Sequence, residues 1–279
     1  MIPKVYITEW RKSAPWLQDI QVEQDLLISR ALVELFQEPI LANSLAFRGG
    51  TAFYKLFMDT PLRYSEDIDL VQIHSGPIGE IFSAIKKRLN PWLGEPQWKL
   101  NDGRATLFYK FAPESIEGIK AKLKIEINTR EHFSVYGLQE KPFAVNSRWF
   151  SGHAKVICYQ LDELMGTKLR ALYQRRKGRD LFDLWVALSH QMITPARVIY
   201  AFQEYLKKEN TAVTRAMFEA NFAEKLSMTK FAQDITSLLS PAIVWDFNSA
   251  LNLVTRELIS CLPGEAWAGG VMRELLLNP

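Results

Sequence analysis

The sequence predicts an α+β fold, with strands and helices intermixed over residues 1–160 and helices over 161–279. Three observations predict it. Short β-rich runs alternate with helical ones before residue 160, helical spacing dominates after it, and no flexible linker separates the two regions. A chain of 279 residues with 48% hydrophobic content supplies one large core or two modest ones, and the change of texture favours two. Charged residues at 23% and aromatics at 12%, without low-complexity runs, describe a chain that is globular throughout.

The elements follow in order. Residues 18–36 place Ile20, Leu26, Leu27, Leu32, Leu35 and Phe36 at three and four spacing, an amphipathic helix ending before Pro39. Leu45-Ala46-Phe47 reads as a short buried strand running into Gly49-Gly50, and residues 51–57 as a helix with Phe53, Leu56 and Phe57 on one side. After Pro61, residues 67–73 read as a strand closed by Gly76-Pro77. A helix over 78–89 precedes strands over 97–100, 106–111 and 122–128, the first two joined by an Asn101-Asp102-Gly103 hairpin turn. A last strand covers 155–159. Helices are then predicted over 161–176, 180–188, 195–207, 214–225, 230–239 and 245–258.

Composition narrows the function classes. Cys158 and Cys261 are far apart, which fits a reduced cytoplasmic protein. The opening residues lack a signal-peptide pattern, and no stretch approaches the roughly 18–20 apolar residues of a membrane span, so a soluble chain without membrane association is expected. His74, His132, His153 and His190 show no zinc-ligand spacing. The formal net charge is only +3, so any attraction to nucleic acid must come from local basic patches.

Asp67 and Asp69 are two apart, so on a strand both carboxylates share one face while Ile68 and Leu70 share the other. Two adjacent carboxylates repel unless a cation lies between them, and oxygen donors of this kind suit Mg²⁺. The same pair on a solvated edge strand would be inert, so context decides. Upstream, Arg48-Gly49-Gly50-Thr51 combines a glycine turn with a helix start, where backbone N–H groups and the helix dipole favour phosphate. The Thr51 hydroxyl is placed either to cap the helix or to bond a phosphate oxygen. Lys55 does not complete a G-x-x-x-x-G-K-[ST] loop, which disfavours a P-loop ATPase.

A third acid is expected if two metal ions act, and Glu126 is the candidate; it shares a strand face with Lys122, Lys124 and Asn128, so a surface ion pair is the competing reading. Six basic residues fall between Lys168 and Arg179 without an acid, followed by Asp180 and Asp183. Such a segment suits triphosphate and RNA backbone, or forms a solvated basic helix face with two aspartates opening the next helix.

Residues 47–53, 62–70 and 168–184, in that order, resemble the successive motifs of the AbiEii family of nucleotidyltransferase-like toxins of abortive-infection and toxin–antitoxin systems. The resemblance implies a polymerase-β-like nucleotidyltransferase core with a mixed sheet (1–160), a helical C-terminal domain (161–279), a nucleoside triphosphate donor and Mg²⁺, with two ions possible. It also implies tRNA as acceptor, nucleotides added at the 3′ end so that translation stops, and a cognate antitoxin encoded nearby. Under it, Arg48, Gly49, Gly50, Thr51 and Lys168 bind nucleotide, and Asp67, Asp69 and Glu126 hold metal. Lys168, with Asp180 or Asp183, joins them as a catalytic group, and Arg175, Arg176, Lys177 and Arg179 contact RNA. These parts are expected to form one cleft. The chain departs from the wider pattern in having Thr51 where Ser is usual, sixteen positions from Thr51 to Asp67, and Glu rather than Asp at 126. Nucleotidylation of a small molecule or protein, and an inactive nucleotide-binding partner, are the alternatives. Oligomeric state is not legible.

Overall fold

The computed structural model describes residues 2–116, 118 and 120–269; positions 270–279 of the expected helical region lie outside the described residues. The chain divides into two units. The first comprises Met1–Tyr159 with Leu239–Ile243, and the second runs over Gln160–Leu238 and from Val244 onward.

In the first unit, α1 (Lys4–Trp10), α2 (Asp19–Phe36) and α3 (Pro39–Ser44) lead into β1 (Leu45–Arg48), α4 (Gly49–Leu56), β2 (Asp67–Gln72) and α5 (Gly79–Leu93). Then follow β3 (Gln97–Asn101), β4 (Arg104–Phe111), β5 (Ala121–Asn128), β6 (Leu138–Asn146) and β7 (Ser151–Tyr159). Among the described residues these strands form one seven-stranded sheet of order β3-β4-β5-β2-β1-β7-β6. Strand β2 runs parallel to β5 and β1 parallel to β7, while β1 and β2 are antiparallel, so the sheet is mixed as expected.

Alternation gives this sheet two different faces. Ile68 and Leu70 of β2, with Leu123, Ile125 and Ile127 of β5, are buried, with α4 packed on β2 and α2 on β5. Full burial of each such side chain contributes roughly 1.5–3 kcal/mol. The intervening residues Asp67, Asp69, Lys124 and Glu126 point the other way and are half-buried. Helix α2 starts on a reciprocal Gln18–Gln21 capping box and stops ahead of Pro39. Lys55 of α4 is absorbed into the framework: its Nζ donates to Asp25 Oδ1 at 2.6 Å and to Ser29 Oγ at 2.9 Å, and Trp10 Nε1 donates to the same aspartate at 2.9 Å. This buried pair ties α4 to α2.

The sequence reading omits β6, and the reason is visible in its side chains. Pro142 and the charged Glu140 and Lys141 read as loop, yet β6 is the last strand of the sheet, where proline is tolerated on the unpaired side. Its partner β7 begins at Ser151 rather than Lys155 because β6 extends the pairing.

The second unit contains α6 (Leu161–Gln174), α7 (Gly178–Ser189), α8 (Pro195–Lys208), α9 (Arg215–Leu226), α10 (Thr229–Gln233) and α11 (Phe247–Glu257). Phe218, Phe222, Phe231 and Phe247 form a chain of edge-to-face rings with centroids 6.0–6.2 Å apart in its core. Gly166 lets α6 approach α8: a Cβ there would lie 2.7 Å from Ala201 Cβ and 3.0 Å from the Val198 carbonyl oxygen. The single helix expected over 230–239 is instead α10 and a 3₁₀ turn at Thr236–Leu238. The chain then returns to the first unit, where Ser240 N–H donates to the Leu62 carbonyl at 2.9 Å. Among the described residues, no helix is long and apolar enough to cross a membrane.

Candidate active site

In the first unit, β1 delivers the chain into a tight turn. Gly49 has φ +80°, a backbone state that glycine adopts without penalty, and α4 begins there. The first-turn N–H groups of Gly49, Gly50 and Thr51 have no acceptor within their own helix. Asp69, paired in register with Arg48 across β1 and β2, folds its carboxylate over the Gly49 α-carbon. A methyl group at position 49 would overlap Asp69 Oδ2 and lie 2.9 Å from its Cβ. Gly49→Ala is therefore expected to destabilise the first unit by about 1–2 kcal/mol through backbone strain alone, and to displace Asp69. Thermal unfolding and triphosphate binding of the variant check both effects; wild-type values for both would refute the close-approach account.

Thr51 sits within the first turn of α4 and is buried, but its hydroxyl does not cap the helix. It donates to the Asp67 carbonyl at 2.6 Å and shares a 2.8 Å hydrogen bond with the Ser65 hydroxyl. The turn thus holds the backbone of the aspartate strand directly. Gly50 lies against the buried Arg63 guanidinium and 3.2 Å, by its would-be Cβ, from Ser65 Oγ. Ser65 and Arg63 are fixtures of the turn that the sequence reading did not assign. Their signal was position alone, just before Asp67.

The parallel pairing of β2 with β5 brings the acids together. Asp69 is in register with Glu126, and Asp67 with Lys124, so all four side chains share one face. Lys124 Nζ lies 3.0 Å from Asp67 Oδ2 and 3.0 Å from Glu126 Oε2, and Arg104 Nε is 3.3 Å from Glu126 Oε1. Burial pushes the Asp67 carboxyl above its ordinary pKa against the pull of Lys124, with Glu66 and Glu126 adding to the rise. Burial works against the Lys124 ammonium too, but Asp67 and Glu126 outweigh it and hold its pKa up. Lys124 thus supplies the positive charge that paired carboxylates require. Among the described residues, no group of three or more His, Cys, Asp or Glu side chains gathers as a metal site.

Arg48, on the same face, pairs with Glu131 and lies 5.9 Å over the Tyr159 ring. Further along this face a cavity of about 230 Å³ is lined by Val71, Ile73, His74, His132, Phe133 and Tyr159, among others. His132 Nδ1 is 2.8 Å from the Gln72 carbonyl, which fixes the ring at the cavity wall. From the sequence, His132 reads as a structural or surface residue rather than a zinc ligand.

The second unit holds the remaining predicted residues. Lys168 of α6 reaches Asp183 Oδ2 at 2.8 Å and Asp180 Oδ1 at 3.3 Å on α7, and Arg175 Nε reaches Asp180 Oδ2 at 2.6 Å. Both aspartates are fully buried and Lys168 nearly so. Burial pushes the Asp180 carboxyl up, but Lys168 and Arg175 outweigh burial and hold it below its ordinary value. The basic run beyond it is matched by acids: Arg176 lies 2.5 Å from Glu224, Lys177 3.3 Å from Asp234, and Arg179 3.4 Å from Asp234.

The mixed sheet, the glycine turn opening α4, and two aspartates beside it on one strand face form an arrangement chemically suited to nucleotide transfer. Comparison with known proteins agrees. The family described as nucleotidyl transferase AbiEii toxin, type IV toxin–antitoxin system, matches residues 30–253. No curated protein matches the chain. Among solved structures, MenT4, a nucleotidyltransferase toxin from Mycobacterium tuberculosis, aligns with a TM-score of 0.64 at 12% identity, covering 95% of this chain and 91% of that one. JHP933 from Helicobacter pylori aligns with a TM-score of 0.54 at 18% identity, covering 86% and 91% respectively. At these identities the two structures speak for the fold, and the family match speaks for the chemistry: the chain belongs to the AbiEii family of nucleotidyltransferase toxins.

Proposed function

We propose that this toxin transfers a nucleoside monophosphate from a nucleoside triphosphate to the 3′ end of tRNA, with Mg²⁺, and so blocks translation. The observation that carries the reading is the placement of Asp67 and Asp69 on one sheet face against the Gly49-Gly50 turn. Their hard oxygen donors fit a divalent cation that completes its shell with phosphate oxygens, while Glu126, in register with Asp69, is engaged by Lys124 and Arg104. When bound, such a cation neutralises charge on the triphosphate and lowers the barrier to displacement at the α-phosphorus.

The chain's own residues do the rest. The amides of Gly49, Gly50 and Thr51 cradle phosphate oxygens, Thr51 keeps Asp67 in place through its carbonyl, and Arg48 neutralises phosphate charge from the adjoining strand. The acceptor 3′-hydroxyl oxygen attacks the α-phosphorus, its proton passes to solvent or to a nearby carboxylate, and the bond to pyrophosphate breaks. The cavity beside His132 and Tyr159 suits a nucleobase, which packs on aromatic and imidazole faces. A cytoplasmic site of action and an antitoxin encoded nearby accompany this reading.

Incubating the protein with Mg²⁺, bulk tRNA and each triphosphate labelled at the α-phosphate tests it. Label on tRNA with one or more triphosphates is expected. Label on a protein or small molecule alone would redirect the acceptor assignment, and no label on RNA with any nucleotide would sink it.

A further inference from the structure

The face of the sheet that carries Asp67 and Asp69 continues across β5, β4 and β3, and its composition changes along the way. Antiparallel partners point the same way, so the pairs Lys124 with Phe108, Lys122 with Lys110, and Thr106 with Lys99 all place their side chains on this face. The opposite face takes the apolar partners: Leu123, Ile125 and Leu107 are buried there, and Trp98 packs edge-on against Phe82 of α5. Lys99, Lys110, Lys120 and Lys122 are exposed, and among the described residues none of the four has a carboxylate within ion-pair distance. Phe108 lies half-buried among them. A cavity of about 420 Å³, lined by Glu66, Asp67, Phe108, Lys120, Lys122 and Lys124 among others, joins Asp67 to this surface.

This arrangement contrasts with the basic run that the sequence singled out. Arg175, Arg176, Lys177 and Arg179 each face a carboxylate of their own unit. Charge already matched by acids attracts a polyanion weakly; unmatched ammonium groups attract it strongly and in a salt-dependent way. Lysines along one strand face repeat about every 6.8 Å, and those on neighbouring strands stand about 4.8 Å apart, which presents a two-dimensional grid of cations to a phosphate chain. An aromatic ring set among such cations is the means by which proteins hold unpaired bases.

We propose that the β3-β4-β5 face is the docking surface for the RNA acceptor. Lys99, Lys110, Lys120 and Lys122 bind its phosphates, and Phe108 stacks on an unpaired base near the 3′ end, directing that end toward Asp67. The proposal rests on RNA being the acceptor, and it names the surface that the acceptor uses.

The test is equilibrium binding of 5′-fluorescein-labelled bulk tRNA, without nucleotide, followed by anisotropy across a salt series. The Lys110→Ser/Lys122→Ser variant is expected to bind about tenfold more weakly at 0.15 M salt. The slope of log affinity against log salt should be shallower by about 1.4, the share of two phosphate contacts on a single strand. Phe108→Leu is expected to weaken binding several-fold with the salt slope unchanged. Arg176→Ser/Lys177→Ser should bind as wild type does. Unchanged affinity and slope in Lys110→Ser/Lys122→Ser would overturn the proposal and leave this face to an acidic protein partner. Absence of tRNA binding by wild type would overturn it as well. Binding is read apart from transfer, so label appearing only on protein, with lysine-dependent tRNA binding intact, would refute the transfer reading and keep the RNA surface.

Discussion

Asp67→Asn is expected to lower nucleotide transfer by about 10³-fold while leaving the melting temperature equal to or above that of wild type. On the proposed mechanism the rate loss follows from removing one of the two carboxylates assigned to the cation at the reacting phosphate, where charge stabilisation is the largest contribution to lowering the barrier. The stability half has its sign fixed by burial. Asp67 titrates above its ordinary pKa in the folded chain, so near neutral pH, where the unfolded chain ionises freely, folding must hold a carboxylate that its surroundings disfavour. Asparagine removes that penalty, and Lys124 retains Glu126 as a partner. Transfer assayed with α-labelled triphosphate, alongside calorimetric unfolding, checks both halves. Retained activity would dislodge Asp67 from the metal-holding role; lost activity with a collapsed melting temperature would make the residue structural.

Lys168→Met should have the largest effect on stability, a loss of about 3–5 kcal/mol centred on the second unit. The variant takes the ammonium from between Asp183 and Asp180, leaving Asp180 to Arg175, and removing one member of a buried ion cluster is among the costliest single changes a core can suffer. Hydrogen exchange in α6 and α7 reports the loss locally, which matters because a chain of two units need not unfold in one step. Lys168→Met/Asp183→Leu, which removes both partners, is expected to recover much of the protection. Asp180 adds a pH signature. Its pKa is held below the ordinary 3.8, so the cluster's stabilisation is complete above that value and is lost as pH falls through the folded one. Wild-type exchange in Lys168→Met would refute the ion-cluster account. Activity in the recovered double variant bears on catalysis as well: a folded, active Lys168→Met/Asp183→Leu chain would remove both residues from the catalytic groups.

Much of this was legible in the residues, for identifiable reasons. The hydrophobic alternation of β2 and β5 forces Asp67, Asp69 and Glu126 away from the core, and Gly49 sits where a positive φ is needed. Strand β6 was not legible, because an edge strand with Pro142 and charged neighbours carries no alternation strong enough to separate it from a loop. Nor was the end of the helix expected over 230–239, where the chain leaves to pair Arg63 with Leu239. That contact depends on a partner far away in sequence.

The sequence by itself determined the family, the mixed sheet and the candidate carboxylates, because motif order and strand period are local properties of the chain. Only the tertiary structure decided which charges are available. Pairing put Lys124 between Asp67 and Glu126, gave Lys55 to Asp25, and matched Arg175, Arg176, Lys177 and Arg179 with acids, while leaving Lys99, Lys110 and Lys122 exposed. A run of basic residues states how much charge is present. Whether that charge meets a ligand or a neighbouring carboxylate depends on distances of a few ångströms between elements far apart in the chain.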